Sequence, residues 1–232
     1  MATLVLIGVL SGIARILFPS TLGEKVEPIR RSVLTAFNRA DPFVLERTRE
    51  IQRVEGRFDS HRSLIVLHAL SGIVFLVLAP LQLSPSFRSR HITIHRRIGA
   101  MLILVGVLAA CSGLYFGVLI PAAGLGEAIV IVLVGSLFLV SLAKAIVSIR
   151  TGRVERHREW MMRAFAVALG ISTVRIVAVI ADFILTPSGM KLTELFVLSL
   201  WLGWGITLAL AETWIVRTRR MVNAELQTPA AA

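Results

Sequence analysis

The chain has 232 residues, of which 56% are hydrophobic, and a formal charge of +11 at pH 7. That apolar share is above the roughly 45–50% of soluble domains, and no stretch outside the apolar runs is long enough to build a core of its own, which excludes a soluble enzyme on an anchor. The basic residues stand at the ends of apolar runs, the pattern of a membrane protein and not of a nucleic-acid binder. The single cysteine, Cys111, cannot by itself form a disulfide framework or a thiolate metal site.

Residues 2–18 are apolar except for Arg15 and read as a short first membrane helix, with Arg15 reaching to the interface and Pro19 ending it. No positive charge precedes the run, so a secretory signal peptide is a poor match. Gly8 and Gly12 give it a small-residue face for close packing. Residues 22–62 hold nine basic and seven acidic residues with short amphipathic patterns. Asp41-Pro42 reads as a helix start there, followed by Val44, Ile51 and Val54 near one face. One or two short helices on the membrane or over the bundle mouth, or a solvated connector, both fit this segment.

Apolar runs then follow at 63–83, 98–119, 127–148, 164–185 and 195–216. Each is close to the ~20 residues needed to cross a bilayer, and only helices satisfy the backbone of such runs. With the first run they make six transmembrane helices, or five if that first one falls short. Short connections make sequential neighbours antiparallel, and Gly113 and Gly117 offer another close-packing face. The fold class is thus an all-α membrane bundle of six helices with a four-helix core formed by the second to fifth. It is one integral membrane domain over residues 1–232: a first helix (1–21), an extramembrane connector (22–62), a five-helix region (63–216) and a tail (217–232).

Charge suggests an orientation. Arg88, Arg90, Arg96, Arg97, Arg150, Arg153, Arg156, Arg158, Arg163, Arg217, Arg219 and Arg220 gather on one side, against Lys191 in the two short loops opposite. Under the positive-inside rule that side and both termini are cytoplasmic, in the plasma membrane of the cell. The nine basic residues of 22–62 fall on the opposite side and reduce the contrast to twelve against ten.

Polar residues inside the runs are the candidate functional positions, because a charge at depth is costly and ordinarily has a partner. They fall into two sets: His95, His157, Arg163 and Glu212 toward the arginine-rich end, and His68, Arg175 and Asp182 toward the other. Histidines on facing helices are axial ligands in membrane b-type cytochromes, which makes His95 and His157 candidates for holding a haem b, with His68 a further candidate lacking a histidine at its depth. A metal site from His91, His95 and His157 has no acidic or thiolate ligand beside the first two. The plainer readings are solvated interfacial histidines, arginines on lipid phosphate, a snorkelling Lys144, a structural ion pair at Glu212, and Trp201, Trp204 and Trp214 as packing or interface anchors.

The segments HALSGIVFLVLAPLQL (His68, Gly72, Pro80, Gln82), RSRHITIHRRIG (Arg90, His95, Arg96, Gly99) and HREWMMRAFA (His157, Arg158, Trp160, Met161, Arg163), with Arg175 and WLGWGITLALAETW (Trp201, Trp204, Glu212), resemble the predicted membrane protein family called domain of unknown function 2306. The resemblance covers about residues 63–216 and implies a bacterial-type multi-pass membrane protein, without supplying a reaction. Gly205-Ile206 stands where that pattern has a Pro-Asn pair, so a break in the last helix there loses its basis. The HRRIG run is also similar to a short run of membrane haem reductases. Three functions remain open: a haem-associated redox protein, a small-solute or proton transporter lined by His68, Arg175, Asp182 and Glu212, and a non-catalytic assembly factor. The lipid bilayer is the expected partner, with no nucleic acid.

Overall fold

The computed structural model describes residues 1–17, 32, 61–185 and 189–227. Among these the elements are α1 (Ala2–Leu17), α2 (Arg62–Leu83), α3 (Pro85–Arg90), α4 (Ile92–Leu119), α5 (Leu125–Arg150), α6 (Val154–Leu185) and α7 (Leu192–Gln227). Apart from Ser32, residues 22–60 and the readings made there, Asp41-Pro42 included, lie outside the described residues, as does the Arg15 side chain.

Five helices, α2, α4, α5, α6 and the Leu192–Met221 part of α7, are long and apolar enough to cross a membrane. The 16 residues of α1 reach about 24 Å at 1.5 Å per residue, short of a ~30 Å hydrocarbon core. This helix packs against α2 and α6 through Gly8 and Gly12. A Cβ on Gly8 would stand 2.7 Å from Leu76 and Ser172, and one on Gly12 would stand 2.9 Å from Ile73. Those two positions therefore set how closely α1 approaches.

The helices outrun their apolar stretches, mostly at the arginine-rich end: α4 begins at Ile92, α6 at Val154, and α7 continues to Gln227. The apolar run marks the hydrocarbon depth, whereas the helix continues wherever Glu, Arg and Met favour it. The last helix runs unbroken through Gly205-Ile206. The short α3 falls between two apolar runs. Ser84 accepts a hydrogen bond from Phe87 N–H at 3.4 Å, and Pro85 occupies the first helical position.

The turn between α5 and α6 is tightly specified. Gly152 has φ +73°. Arg153 N–H donates to Ser148 C=O at 2.8 Å and Gly152 N–H to Ile149 C=O at 3.2 Å, the paired bonds of a Schellman stop. That three-residue turn delivers His157 to the first turns of α6.

The main core draws on α2 (Phe75, Leu76, Ala79), α4 (Leu102), α5 (Phe138, Leu142) and α6 (Ala164, Phe165, Val167, Leu169). Around it α2 packs on α4, α4 on α5, α5 on α6, and α6 on α2. This leaves α2 facing α5, and α4 facing α6, across the diagonals. Phe75 and Phe138 meet edge-on across one diagonal with ring centroids 5.4 Å apart, in the space Gly106 leaves open. A second core joins Val130, Val174, Leu200 and Trp204, and ties α7 to α5 and α6.

Candidate functional site

At the arginine-rich end, α6 presents His157, Glu159, Trp160 and Arg163 within two turns. His157 Nδ1 lies 2.9 Å from the Ala145 carbonyl of α5. A carbonyl only accepts, so Nδ1 carries a proton, and it is Nε2 that offers the lone pair in the neutral ring. Across the diagonal, His95 stands in the first turn of α4, within electrostatic reach of His157, Arg88 and Arg96. Its Nδ1 is buried without a hydrogen-bond partner. Gly99, one turn further along α4, has Gln82 Oε1 as its near neighbour, 3.5 Å from where a Cβ would stand.

Beside the histidines runs an ion-pair chain. Arg163 grips Glu212 with two parallel bonds, Nε–Oε1 at 2.5 Å and Nη2–Oε2 at 2.9 Å, the bidentate form that gives an arginine–carboxylate pair its strength. Glu159 stands 4.0 Å from Arg163 Nη1 and takes Arg219 of α7 at 2.7 Å. The Trp160 ring carries Arg163 at 4.5 Å and Lys144 at 4.6 Å, both within cation–π range. Lys144 thus does more than reach for the interface.

Burial across the central pair is unequal, and the energies follow it. The Arg163 side chain is 16% exposed and that of Glu212 47%. Removing Glu212 strands a mostly buried guanidinium, which costs about 1–3 kcal/mol, whereas an abandoned Glu212 carboxylate can still meet solvent. We predict that Glu212→Gln lowers the unfolding free energy of the detergent-solubilised protein by that amount. Equal stability of variant and wild type in chemical-unfolding titrations would contradict this.

The other set is arranged differently. His68 Nδ1 sits 2.9 Å from the Ala109 carbonyl and 3.2 Å from Ser112 Oγ, both on α4. Its ring lies over Gly113 and edge-on to Phe116. Gly113 and Gly117 therefore serve different neighbours, since Gly117 abuts Ile131 of α5. Arg175 is exposed in the bundle. Val174 is committed to Gly203 of α7, which puts the next residue about 100° round the helix. Arg175 and Asp182 each have an interaction partner.

Of the tryptophans, Trp204 is buried and donates from Nε1 to the Val167 carbonyl at 2.9 Å, while Trp201 and Trp214 are exposed. Sequence reasoning passed over Glu127, a buried carboxylate that accepts from Ala123 N–H at 2.7 Å and ties the α4–α5 connection to α5. Its position three residues after Gly124, at a helix start, was the available signal. The Glu159 link to Arg163 was likewise visible as an i, i+4 pair.

Five spanning-length apolar helices around shared cores, with charge and histidine collected at their ends, define a multi-pass helical membrane protein. The chain belongs to the predicted membrane protein family DUF2306, domain of unknown function 2306, whose pattern it matches over residues 65–215. No curated protein and no solved structure matches it.

Proposed function

We propose that this chain is a membrane redox protein that holds a b-type haem between His95 and His157 at its arginine-rich end. The observation that carries the reading is two histidines in the first turns of diagonally opposed helices, close enough to act on each other electrostatically, with His157 already fixed by its Nδ1–H bond to Ala145. A backbone carbonyl on Nδ1 is the outer-shell contact that orients a ligating imidazole and leaves Nε2 to bind. Facing helices of a bundle are where such cofactors sit. The buried, unpartnered Nδ1 of His95 is a polar atom the protein alone does not satisfy, and such atoms call for an explanation. Arg88 and Arg96, close in electrostatic terms, suit the carboxylates of a haem edge.

A bound haem supplies one-electron transfer. The chain's own residues would supply the rest: His95 and His157 as ligands, Ala145 as the acceptor that fixes one ring, and the neighbouring arginines as counter-charges. The Arg163–Glu212 lock holds α7 against α6 beside the site. His68, bound to α4 at the other end of the bundle, is not needed as a ligand.

Purified protein from haem-replete cells is expected to show a Soret band and a reduced-minus-oxidised difference spectrum. A colourless, haem-free preparation would overturn the reading and leave the ion-pair chain as a structural lock. The twelve arginines at that end also favour a cytoplasmic location for it. Reporter fusions at residues 84–97 and 151–153 should therefore report the cytoplasm, and an external signal at both would reverse the orientation.

A further inference from the structure

We propose that Gln82 is a positioning residue for His95, its carboxamide oxygen accepting the His95 Nδ1 proton when the imidazole is engaged through Nε2; this rests on the haem reading above. Gln82 closes α2 with 7% of its surface exposed. Its Nε2 and His95 Nδ1 are both buried without a hydrogen-bond partner. Gln82 Oε1 abuts Gly99, which stands one turn along the same face of α4 from His95, so the carboxamide lies one helical turn from the imidazole. Gly99 presents no side chain there, so the amide has room to turn. Amide orientation is also the softest feature of a glutamine, since a 180° rotation exchanges its oxygen and nitrogen.

The chemistry asks for such a partner. An imidazole that ligates through Nε2 carries its proton on Nδ1, and that N–H needs an acceptor. His157 has the Ala145 carbonyl. His95 has no such bond, and the acceptor we assign to it is the carboxamide of Gln82, buried one turn away along α4. An acceptor on Nδ1–H makes the imidazole a stronger donor to the metal, which favours the ferric form and lowers the reduction potential.

The test uses full-length protein carrying Gln82→Met, which keeps volume but lacks a strong acceptor, and Gln82→Glu, which keeps one. Two quantities are read: haem affinity by titration into the apoprotein, and midpoint potential by spectroscopic redox titration. Gln82→Met should bind haem at least about 10-fold more weakly and raise the potential, and Gln82→Glu should return the potential to or below that of wild type. A Gln82→Met protein with unchanged affinity and potential overturns the proposal while leaving the haem reading intact. Equal shifts in the two variants also overturn it, since they would mark a packing effect. If Gln82→Glu does not fold, the Met variant decides alone. Wild-type protein that takes up no haem removes both readings.

Discussion

Gly203→Ala is expected to destabilise the bundle by about 3 kcal/mol or more, the upper range for overpacking a tight contact. A Cβ at this position would stand 2.5 Å from Val174 Cα and 2.6 Å from Val174 N. The obstacle is backbone, so no rotamer change relieves it and α7 must move off α6. That movement loosens the core of Val130, Val174, Leu200 and Trp204 and strains the Trp204 bond to Val167. Gly170 makes the reciprocal contact, where a Cβ would overlap the Trp204 indole. The matched control is Gly205→Ala, two residues on, where a Cβ meets nothing within 4 Å. There the gain in helix propensity should leave stability unchanged or raise it by up to ~1 kcal/mol. Unfolding titrations of both variants in the same detergent decide the matter. Similar losses in the two would show that the effect is not the Val174 contact.

The second large effect concerns the histidines. On the proposed haem reading, His95→Ala and His157→Ala should each abolish the six-coordinate haem spectrum, because each removes one of the two proposed axial ligands. His68→Ala should keep it. The His68 ring is held by α4 through Ala109 and Ser112, so its loss perturbs the α2–α4 seam and leaves the arginine-rich end intact. The ligand variants should still fold. Each truncates a side chain near a helix start, and the Phe75–Phe138 core lies deeper in the bundle. A haem signal that disappears in His68→Ala and survives in His157→Ala would mean that the wrong end of the molecule has been chosen.

The candidate site was only partly visible in the sequence. His95, His157, Arg163 and Glu212 could be grouped by depth, because depth follows from counting residues along apolar runs. Arg163 and Glu212 of that group form an ion pair. Arg175 shows where counting stops. Depth says that a charge is costly, but the direction of a side chain depends on which neighbour claims the adjacent face, and Val174 turned to Gly203 decides it. Gln82 stood in a recognisable motif yet gained its proposed role only when packing set it beside Gly99 and left Gln82 Nε2 and His95 Nδ1 without a hydrogen-bond partner.

The sequence by itself determined the class of the molecule: an all-helical membrane protein of six apolar helices, or five if the first falls short, with one end rich in arginine. These follow from hydropathy and backbone hydrogen bonding, which act along the chain and need no knowledge of neighbours. The tertiary structure alone decided which helices touch and which face each other across the bundle. Helix contacts in a bilayer are chosen by shape, through glycines at Gly8, Gly106, Gly170 and Gly203 that admit particular groups of neighbouring helices, and shape complementarity between distant segments is not written in either segment alone. The diagonal placement of α4 and α6 is such a result, and it is what sets His95 opposite His157.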